Sequence, residues 1–220
     1  MSKRAWIIFA VLVVGIFGYF LIASNKKDDS SNLGNANVSG DPKTIIASDH
    51  QSGNLQSKVV LMEYLDPQCP GCGQLYPSMK QIMEMYKDKV HFVHRVFPLT
   101  DIHKNALAGS RALEAAALQG KFFEMEDILF TNQSNWQALS TGKAQETFEG
   151  YAKQIGLDVD KYKKDYAGSE VFDTVSASRK RGEQMGVTGT PTLFLNGEKI
   201  TFQTADDITK QLDAALASNK

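Results

Sequence analysis

Two adjacent segments decide the fold of this chain: KVVLMEYL at residues 58–65 and DPQCPGC at residues 66–72. The first is a nearly continuous apolar run, which predicts a strand buried in the centre of a sheet. Asp66-Pro67-Gln68 breaks this strand. The two cysteines therefore lie just beyond a central strand, where the next element begins.

That next element is predicted to be an amphipathic helix that ends near residue 88. Its apolar residues recur at helical spacing, and they are Leu75, Met79, Ile82, Met83 and Tyr86. Residues 90–97 then alternate as a second strand. A strand, a helix and a strand in this order predict a right-handed parallel unit.

The middle of the chain is predicted to be helical, over residues 105–119, 147–155 and 170–185. These segments stop at Gly120, Gly156 and Gly186, each at a position where a helix end favours a left-handed residue.

The end of the chain is predicted to return to sheet. A short strand at 192–195 is followed by Asn196-Gly197, a strong signal for a two-residue hairpin, and by a return strand at 199–202. A capping signal at 204–207 then starts the final helix.

The amino-terminal part is predicted to hold a membrane anchor and a tether. Residues 5–23 are uncharged and largely apolar, and a helix of this length roughly crosses a hydrocarbon core. We expect an uncleaved anchor at 1–24, with a cleaved signal peptide as the alternative. Residues 25–43 are rich in Ser, Asn, Gly and Asp and predict a flexible tether, and the globular domain is expected over 44–220.

Composition limits the classes of function. The 24 basic and 25 acidic residues give a net charge of −1, without the clustered basic face that a nucleic-acid partner needs. The only two cysteines are Cys69 and Cys72. Any disulfide chemistry within one chain must therefore happen at this single site.

The position of these cysteines favours redox chemistry. Cys69 is expected at a helix start, where unpaired N–H groups and the helix dipole stabilise a thiolate, which is the nucleophile of disulfide exchange. Cys72 follows on the first helical turn, close enough to close a ring, and Pro70 suits an early helical position. The rival interpretation is a zinc site with His91 and His94. Its spacing does not match a zinc finger, and the two histidines should point to opposite faces of a strand.

Several motifs then point to a known family. They are CPGC at 69–72, GTPT at 189–192, Pro77 within the predicted helix, FPL at 97–99, HKNA at 103–106 and QGKF at 119–122. Together with the order of elements, the chain over about 45–216 resembles DsbA-like thioredoxin-fold proteins, including the membrane-anchored BdbD type. The fold class implied is α/β, a thioredoxin fold with a helical insertion at about 103–186, preceded by a single transmembrane helix.

The resemblance also implies roles for individual residues. Pro191 would be the family's cis-proline opposite the cysteines, and Thr190 would offer backbone groups to a substrate, with Pro70 and Gly71 beside it. Glu63 would be the buried acid that passes protons to or from Cys72.

Two histidine questions arise from the same resemblance. Gly71 stands where the DsbA type has a histidine that adds positive charge near the thiolate, so this sequence lacks that contribution to the oxidising power. His103 could either reach the rim of the site or cap the helix that follows it.

The function expected is the introduction of disulfides into exported proteins, on the outer side of the cytoplasmic membrane. Free thiols of those proteins would exchange with the cysteine pair, and a quinone-linked membrane protein of the DsbB or VKOR type would reoxidise it. No metal or organic cofactor is implied. The alternatives are a membrane-tethered reductase with the same fold and a non-redox zinc-holding or binding module.

Overall fold

The computed structural model describes residue 33, residue 36 and residues 38–219. The predicted membrane anchor at 1–24 lies outside the described residues, and so does the first part of the predicted tether. Across the part of the chain that is described, no helix is both long enough and apolar enough to cross a bilayer.

The described residues form a five-stranded sheet and the helices packed on it. The strands are β1 (His50–Gly53), β2 (Val60–Leu65), β3 (His91–Val96), β4 (Thr192–Leu195) and β5 (Glu198–Lys199). The helices are α1 (Pro70–Tyr86), α2 (Ala106–Ala117), α3 (Phe122–Thr131), α4 (Gln133–Trp136), α5 (Thr141–Gln154), α6 (Val159–Ala167), α7 (Ser169–Gln184) and α8 (Ala205–Ser218). The strand order is β1-β3-β2-β4-β5, in which β2 and β3 are parallel and the other neighbours antiparallel.

Strand β2 lies at the centre of the sheet, between β3 and β4. On one face Leu61 packs with Met79 of α1, and on the other Tyr64 meets Phe97 and Phe194 edge to face. Burial on both faces explains why this segment is apolar almost throughout. The predicted central strand and the parallel β2–α1–β3 unit are confirmed.

Six helices, α2 to α7, lie between β3 and β4 and form a core of their own. Trp136 and Phe148 are fully buried there, with ring centroids 5.0 Å apart. Leu65 and Val96, at the ends of β2 and β3, belong to the same core, as does Cys72. The helical block therefore packs on the end of the sheet that carries the cysteines.

Most of the predicted chain reversals are confirmed. Gly120, Gly156 and Gly186 have φ angles of 73°, 80° and 74°, the left-handed conformation expected after a helix. Asn196 and Gly197 also have positive φ, and they join β4 to β5 in the predicted hairpin.

The last two elements agree with the sequence in part. The capping box at the start of α8 is confirmed, because Thr204 and Asp207 bond each other's backbone N–H groups. The return strand predicted over 199–202 is wrong in length, since β5 comprises only Glu198–Lys199. Just after β5, Ile200 still donates its N–H to the carbonyl of Leu193 (3.0 Å), and its side chain packs against the core beneath α1 and α8.

Strand β1 and the helices α3, α4 and α6 were not predicted, and α5 begins earlier than expected. Strand β1 reads HQSG, which has no apolar pattern, and it lies at the edge of the sheet. Helix α6 reads VDKYKKDYA and buries only Tyr162. Such short polar elements depend on the surface against which they pack, and their own periodicity carries little signal.

Candidate active site

The two cysteines lie at the start of α1, as the sequence predicted. Cys69 is the N-cap residue and Pro70 occupies the first turn. Both cysteines are free thiols, with Cys69 6% exposed and Cys72 1% exposed. Cys69 is therefore the more accessible of the pair, and Cys72 faces the interior.

The surroundings favour opposite protonation states for the two thiols. The pKa of Cys69 is lowered from its ordinary value of 9.0 to about 5, chiefly because its thiolate accepts a hydrogen bond from Cys72. The Thr190 hydroxyl and backbone N–H groups at the start of α1 act in the same direction, against the effect of burial. The pKa of Cys72 is raised well above 9.0 by burial, by its hydrogen bond to Cys69 and by the charge of Glu63. This is the asymmetry that an attacking thiolate and a protonated partner require.

The segment before β4 lies directly against the cysteines. The Thr190–Pro191 peptide bond is cis, as predicted. The protonated Cys69 thiol donates to the carbonyl of Thr190 (3.2 Å), and the buried Thr190 hydroxyl has no other hydrogen-bond partner among the described residues. A Cβ atom on Gly71 would lie 3.3 Å from the Pro191 ring, so a larger residue at position 71 would press against the proline.

A groove of about 530 Å³ opens beside this contact. Gly71 and Pro191 line it, together with Leu75 of α1 and Phe202 of the segment after β5. Pro70 is exposed next to Gly71. The residues that the sequence assigned to substrate binding therefore lie together on one accessible side of the cysteine pair.

The helical block holds the loop that precedes Cys69. The Gln133 amide donates to the carbonyl of Pro67 (2.8 Å) and to that of Cys69 (3.0 Å). The Gln68 side chain accepts from the N–H of Asn105 (2.5 Å) and donates to a carbonyl just after α4 (2.8 Å). Sequence reasoning missed Gln133, because 64 residues separate it from Cys69 and no local pattern marks the contact.

A buried carboxylate anchors the same loop from below. Asp66 accepts hydrogen bonds from the N–H groups of Gln68 (2.8 Å) and Leu99 (3.0 Å), and the His103 ring lies 2.7 Å away. The hydrogen bond to Asp66 raises the pKa of His103, with smaller contributions from the charges of Asp66 and Cys69, against burial. His103 therefore reaches the cysteine loop, and a different residue is the N-cap of α2.

Glu63 lies on β2 and is 6% exposed, as the resemblance implied. Its pKa is raised to about 7, first by burial and then by the charge of Glu126, while His94 acts in the opposite direction. The charge of Glu63 in turn contributes to the raised pKa of Cys72. A carboxyl group with a pKa near neutrality can both give and take a proton at pH 7.

The side chains that a zinc site would need are not brought together. His94 hydrogen-bonds Glu126 (2.8 Å), whereas His91 hydrogen-bonds Gln51 (2.9 Å) at the sheet edge. Within residues 33, 36 and 38–219, no group of three or more His, Cys, Asp or Glu side chains is placed to hold a metal ion.

With this geometry described, comparison with known proteins gives the family. The chain belongs to the thioredoxin family, whose model matches residues 47–214. More particularly, it has the fold of DsbA-like proteins. BdbD from Bacillus subtilis superposes with a TM-score of 0.68 at 21% identity, covering 82% of this chain and 98% of BdbD. The thiol–disulfide exchange protein alpha-DsbA2 from Wolbachia pipientis gives 0.68 at 20% identity, covering 79% and 90%.

Curated relatives match by sequence over a part of their length. The Na⁺/H⁺ antiporter NhaA 3 of Salinispora tropica is 33% identical over 151 residues, which is 69% of this chain and 22% of the antiporter. The chain thus spans less than a quarter of that relative's length, and the match concerns one segment of the antiporter.

Proposed function

We propose that this protein is a thiol–disulfide oxidoreductase that introduces disulfides into exported proteins through Cys69 and Cys72. The single observation that carries the proposal is the pair of free thiols at the start of α1, with Cys69 hydrogen-bonded to the Thr190 carbonyl before the cis-proline. A substrate thiolate attacks Cys69 of the disulfide form and makes a mixed disulfide. A second substrate thiol then releases the substrate disulfide and leaves both cysteines reduced.

The direction of exchange follows from what stabilises each redox state. A Cys69 thiolate is stable only in the reduced protein, so whatever lowers its pKa favours reduction of the protein and oxidation of the substrate. Lowering this pKa from 9.0 to about 5 stabilises the reduced form at pH 7 by roughly 100-fold, or about 60 mV for a two-electron couple. This contribution supports an oxidase more than a reductase.

Substrates are proposed to be extended segments with a free cysteine. The groove beside Gly71 and Pro191 is open to solvent and lined both by apolar side chains such as Phe202 and by polar ones such as Gln74. Thr190 directly precedes the cis-proline that lines this groove, and a substrate strand would pair with its backbone.

The test is the reduction potential of the full-length chain, equilibrated in glutathione buffers and read by thiol alkylation. A value near about −120 mV, the strongly oxidising end of the known range, is the expected result. A value near about −270 mV would replace the proposal by its alternative, a reductase with the same fold.

We further propose that residues 1–24 anchor the protein in the cytoplasmic membrane, with residues 44–220 outside and a quinone-linked membrane protein as the oxidant. An oxidising compartment suits a cysteine pair that must be regenerated as a disulfide. Cell fractionation tests the location, followed by reduction of intact cells with a membrane-impermeant phosphine and labelling with a membrane-impermeant thiol reagent, because the disulfide form has no thiol to label. Labelling of Cys69 only after lysis would contradict it.

A further inference from the structure

A group of buried ionisable side chains lies behind Cys72, and the exchange reaction described above uses only one of them. Glu63 on β2 and His94 on β3 are neighbours across two parallel strands. Glu126 on α3 hydrogen-bonds the His94 ring, with 2.8 Å between Nδ1 and Oε1. All three residues are at most 6% exposed. Three residues from three separate elements thus lie side by side, with Glu63 beside His94 in the strand register and His94 hydrogen-bonded to Glu126.

Burying such a cluster costs stability. A buried ionisable group is destabilising unless it is well paired, and apolar residues of similar volume would usually pack at least as well. Moreover, the His94 Nε2 atom is buried and has no hydrogen-bond partner among the described residues. The cluster is therefore poorly explained by packing alone.

One end of the cluster reaches the redox site. Glu63 lies close enough to Cys72 for its charge to raise the pKa of the thiol. The other end borders an open groove. Glu126 lines an open groove of about 970 Å³ between α1 and α3, together with Tyr76, Phe123 and other residues of both helices. The chain of groups thus leads from the interior-facing sulfur to the surface on the side away from Pro191.

We propose that Glu63, His94 and Glu126 form a proton relay between Cys72 and this groove. The inference rests on the proposed disulfide exchange and extends it by two positioning residues, His94 and Glu126.

The relay supplies the proton that disulfide cleavage consumes. When a substrate thiolate attacks Cys69, its electron pair forms the new S–S bond, the Cys69–Cys72 bond breaks, and that electron pair stays on Cys72. The Cys72 thiolate takes the proton of Glu63, and the His94 imidazolium returns a proton to the Glu63 carboxylate. A proton from the groove, passed along Glu126, restores the imidazolium. When the disulfide of a partner protein reoxidises the pair, Cys72 loses its proton along the same path in reverse.

Several charged and titratable groups surround His94. They are Glu63 from β2, Glu126 from α3, Cys72 and Tyr76 from α1, and, around a small polar cavity that His94 also borders, Asp49, His50, Arg95, Glu114 and Arg181. Burial opposes a charge on His94, but the charge and hydrogen bond of Glu126, together with Glu63, raise its pKa to about 8. At neutral pH the ring is therefore protonated and can donate.

The fold provides a matched control for a test of Glu126. Glu114 is also buried, at 5% exposure, and it pairs with a histidine, 3.0 Å from the His50 ring. It is a second buried glutamate–histidine pair on an insertion helix, and its hydrogen bonds go to His50 and not to His94. Glu114→Gln therefore reproduces the chemical change of Glu126→Gln outside the relay.

The experiment measures single-turnover reduction of the oxidised full-length chain by dithiothreitol across the range from about pH 5 to pH 9. Loss of Glu126 lowers the pKa of His94, so the relay loses its proton at a lower pH. Glu126→Gln should match the wild type near pH 6 and fall behind by roughly tenfold near pH 8, less than a direct proton donor contributes. Glu114→Gln should follow the wild type throughout. Equal profiles for the two variants would overturn the relay.

A second measurement tests the link between Glu63 and His94. NMR titration of the His94 ring should give a lower midpoint in Glu63→Gln than in the wild type, because the charge of Glu63 raises the pKa of His94. Identical midpoints would also overturn the relay. The two proposals can fail separately. If the wild type exchanges no disulfide with a cysteine peptide, the proposed function is wrong. If the wild type exchanges normally and both variants have the pH profile of the wild type, only the relay is wrong.

Discussion

The sheet half of the molecule and its helical block contribute differently to the site. The sheet half, β2, α1, β3 and β4 with the loops beside them, carries the residues proposed to react or to touch substrate, which are Cys69, Cys72, Glu63, Thr190 and Pro191. The helical block, α2 to α7, and the loop leading into it supply Gln133, His103 and Glu126, which hold the cysteine loop or adjust its charge.

This difference shows that the reacting groups lie in one half of the molecule and the groups that set their protonation lie in the other. A thioredoxin-type sheet places a cysteine pair at a helix start, but the protonation of each thiol depends on what covers that end of the sheet. Here the block covers it with buried hydrogen-bonding groups. We therefore expect changes in the sheet half to abolish exchange, and changes in the block to alter its rate, pH dependence or stability.

The largest effect should come from the cysteines themselves. Cys69→Ala should reduce exchange to background, because no other thiolate is available in the chain. In the Cys72→Ala variant the Cys69 thiolate should still attack a disulfide of the substrate, displacing one of its sulfurs as a thiolate, and mixed disulfides should accumulate, since the partner thiol that resolves them is gone. Non-reducing electrophoresis with mass spectrometry of the linked species measures this. The reverse pattern would exchange the roles of the two cysteines.

Glu63→Gln should have the second largest effect on exchange. It should slow exchange by roughly 100-fold, because a proton donor and acceptor is lost. The same variant should change stability. Because the pKa of Glu63 is raised to about 7 in the folded state, the folded protein binds more protons than the unfolded chain between about pH 4.5 and pH 7, and wild-type stability falls as pH rises through that window.

Urea denaturation at several pH values tests this expectation. Glu63→Gln should remove up to roughly 3 kcal/mol of the fall, the equivalent of the shift in the pKa of Glu63. His94, whose pKa is raised to about 8, contributes stability that is present below pH 6.5 and lost through pH 8. The control is Glu84→Gln, at an exposed position, which should leave the dependence of stability on pH unchanged. A wild-type stability that does not change with pH would contradict a buried Glu63 with a raised pKa.

Gln133→Ala tests the hold of the helical block on the cysteine loop. It leaves two backbone carbonyls, those of Pro67 and Cys69, without their amide donor, and should lower the free energy of unfolding by roughly 1–3 kcal/mol. Exchange should slow several-fold because the loop is less well positioned. The control is Gln145→Ala, which removes a hydrogen bond to Tyr166 within the block. If both variants slow exchange equally, the block acts only through its general stability.

His103→Gln should have the smallest effect. It removes a cation that interacts with the Cys69 charge, so the pKa of Cys69 should rise, by less than about one unit because the ring is partly solvated. Thiolate absorbance in the ultraviolet, followed against pH, measures this pKa. His91→Gln is the matched control, because His91 bonds Gln51 at the sheet edge. An unchanged pKa in His103→Gln would leave the Asp66–His103 pair as a purely structural anchor.

Much of the sheet half could be predicted from the sequence alone. The apolar run before Cys69 gave the central strand, the glycines after three helices gave the left-handed ends, and Asn196-Gly197 gave the hairpin. These features are local, because residues close together in the chain determine backbone conformation and the burial of a strand. The resemblance to DsbA-like proteins added the cis-proline and the burial of Glu63.

The contacts that position the cysteine loop and set the charge of its neighbours could not be predicted in this way. The contacts of Gln133 with Cys69, of His103 with Asp66 and of Glu126 with His94 each join residues more than 30 positions apart. No periodicity marks such pairs, and the sequence left His103 undecided between the site and a helix cap.

The sequence by itself thus determined the two cysteines at a helix start and an acid on the central strand, and its resemblance to DsbA-like proteins placed a proline opposite the cysteines. Only the tertiary structure decided how they are charged. The pKa values of Cys69, Cys72 and Glu63 depend on burial and on partners brought from distant elements, and both exist only once the helical block has packed on the sheet.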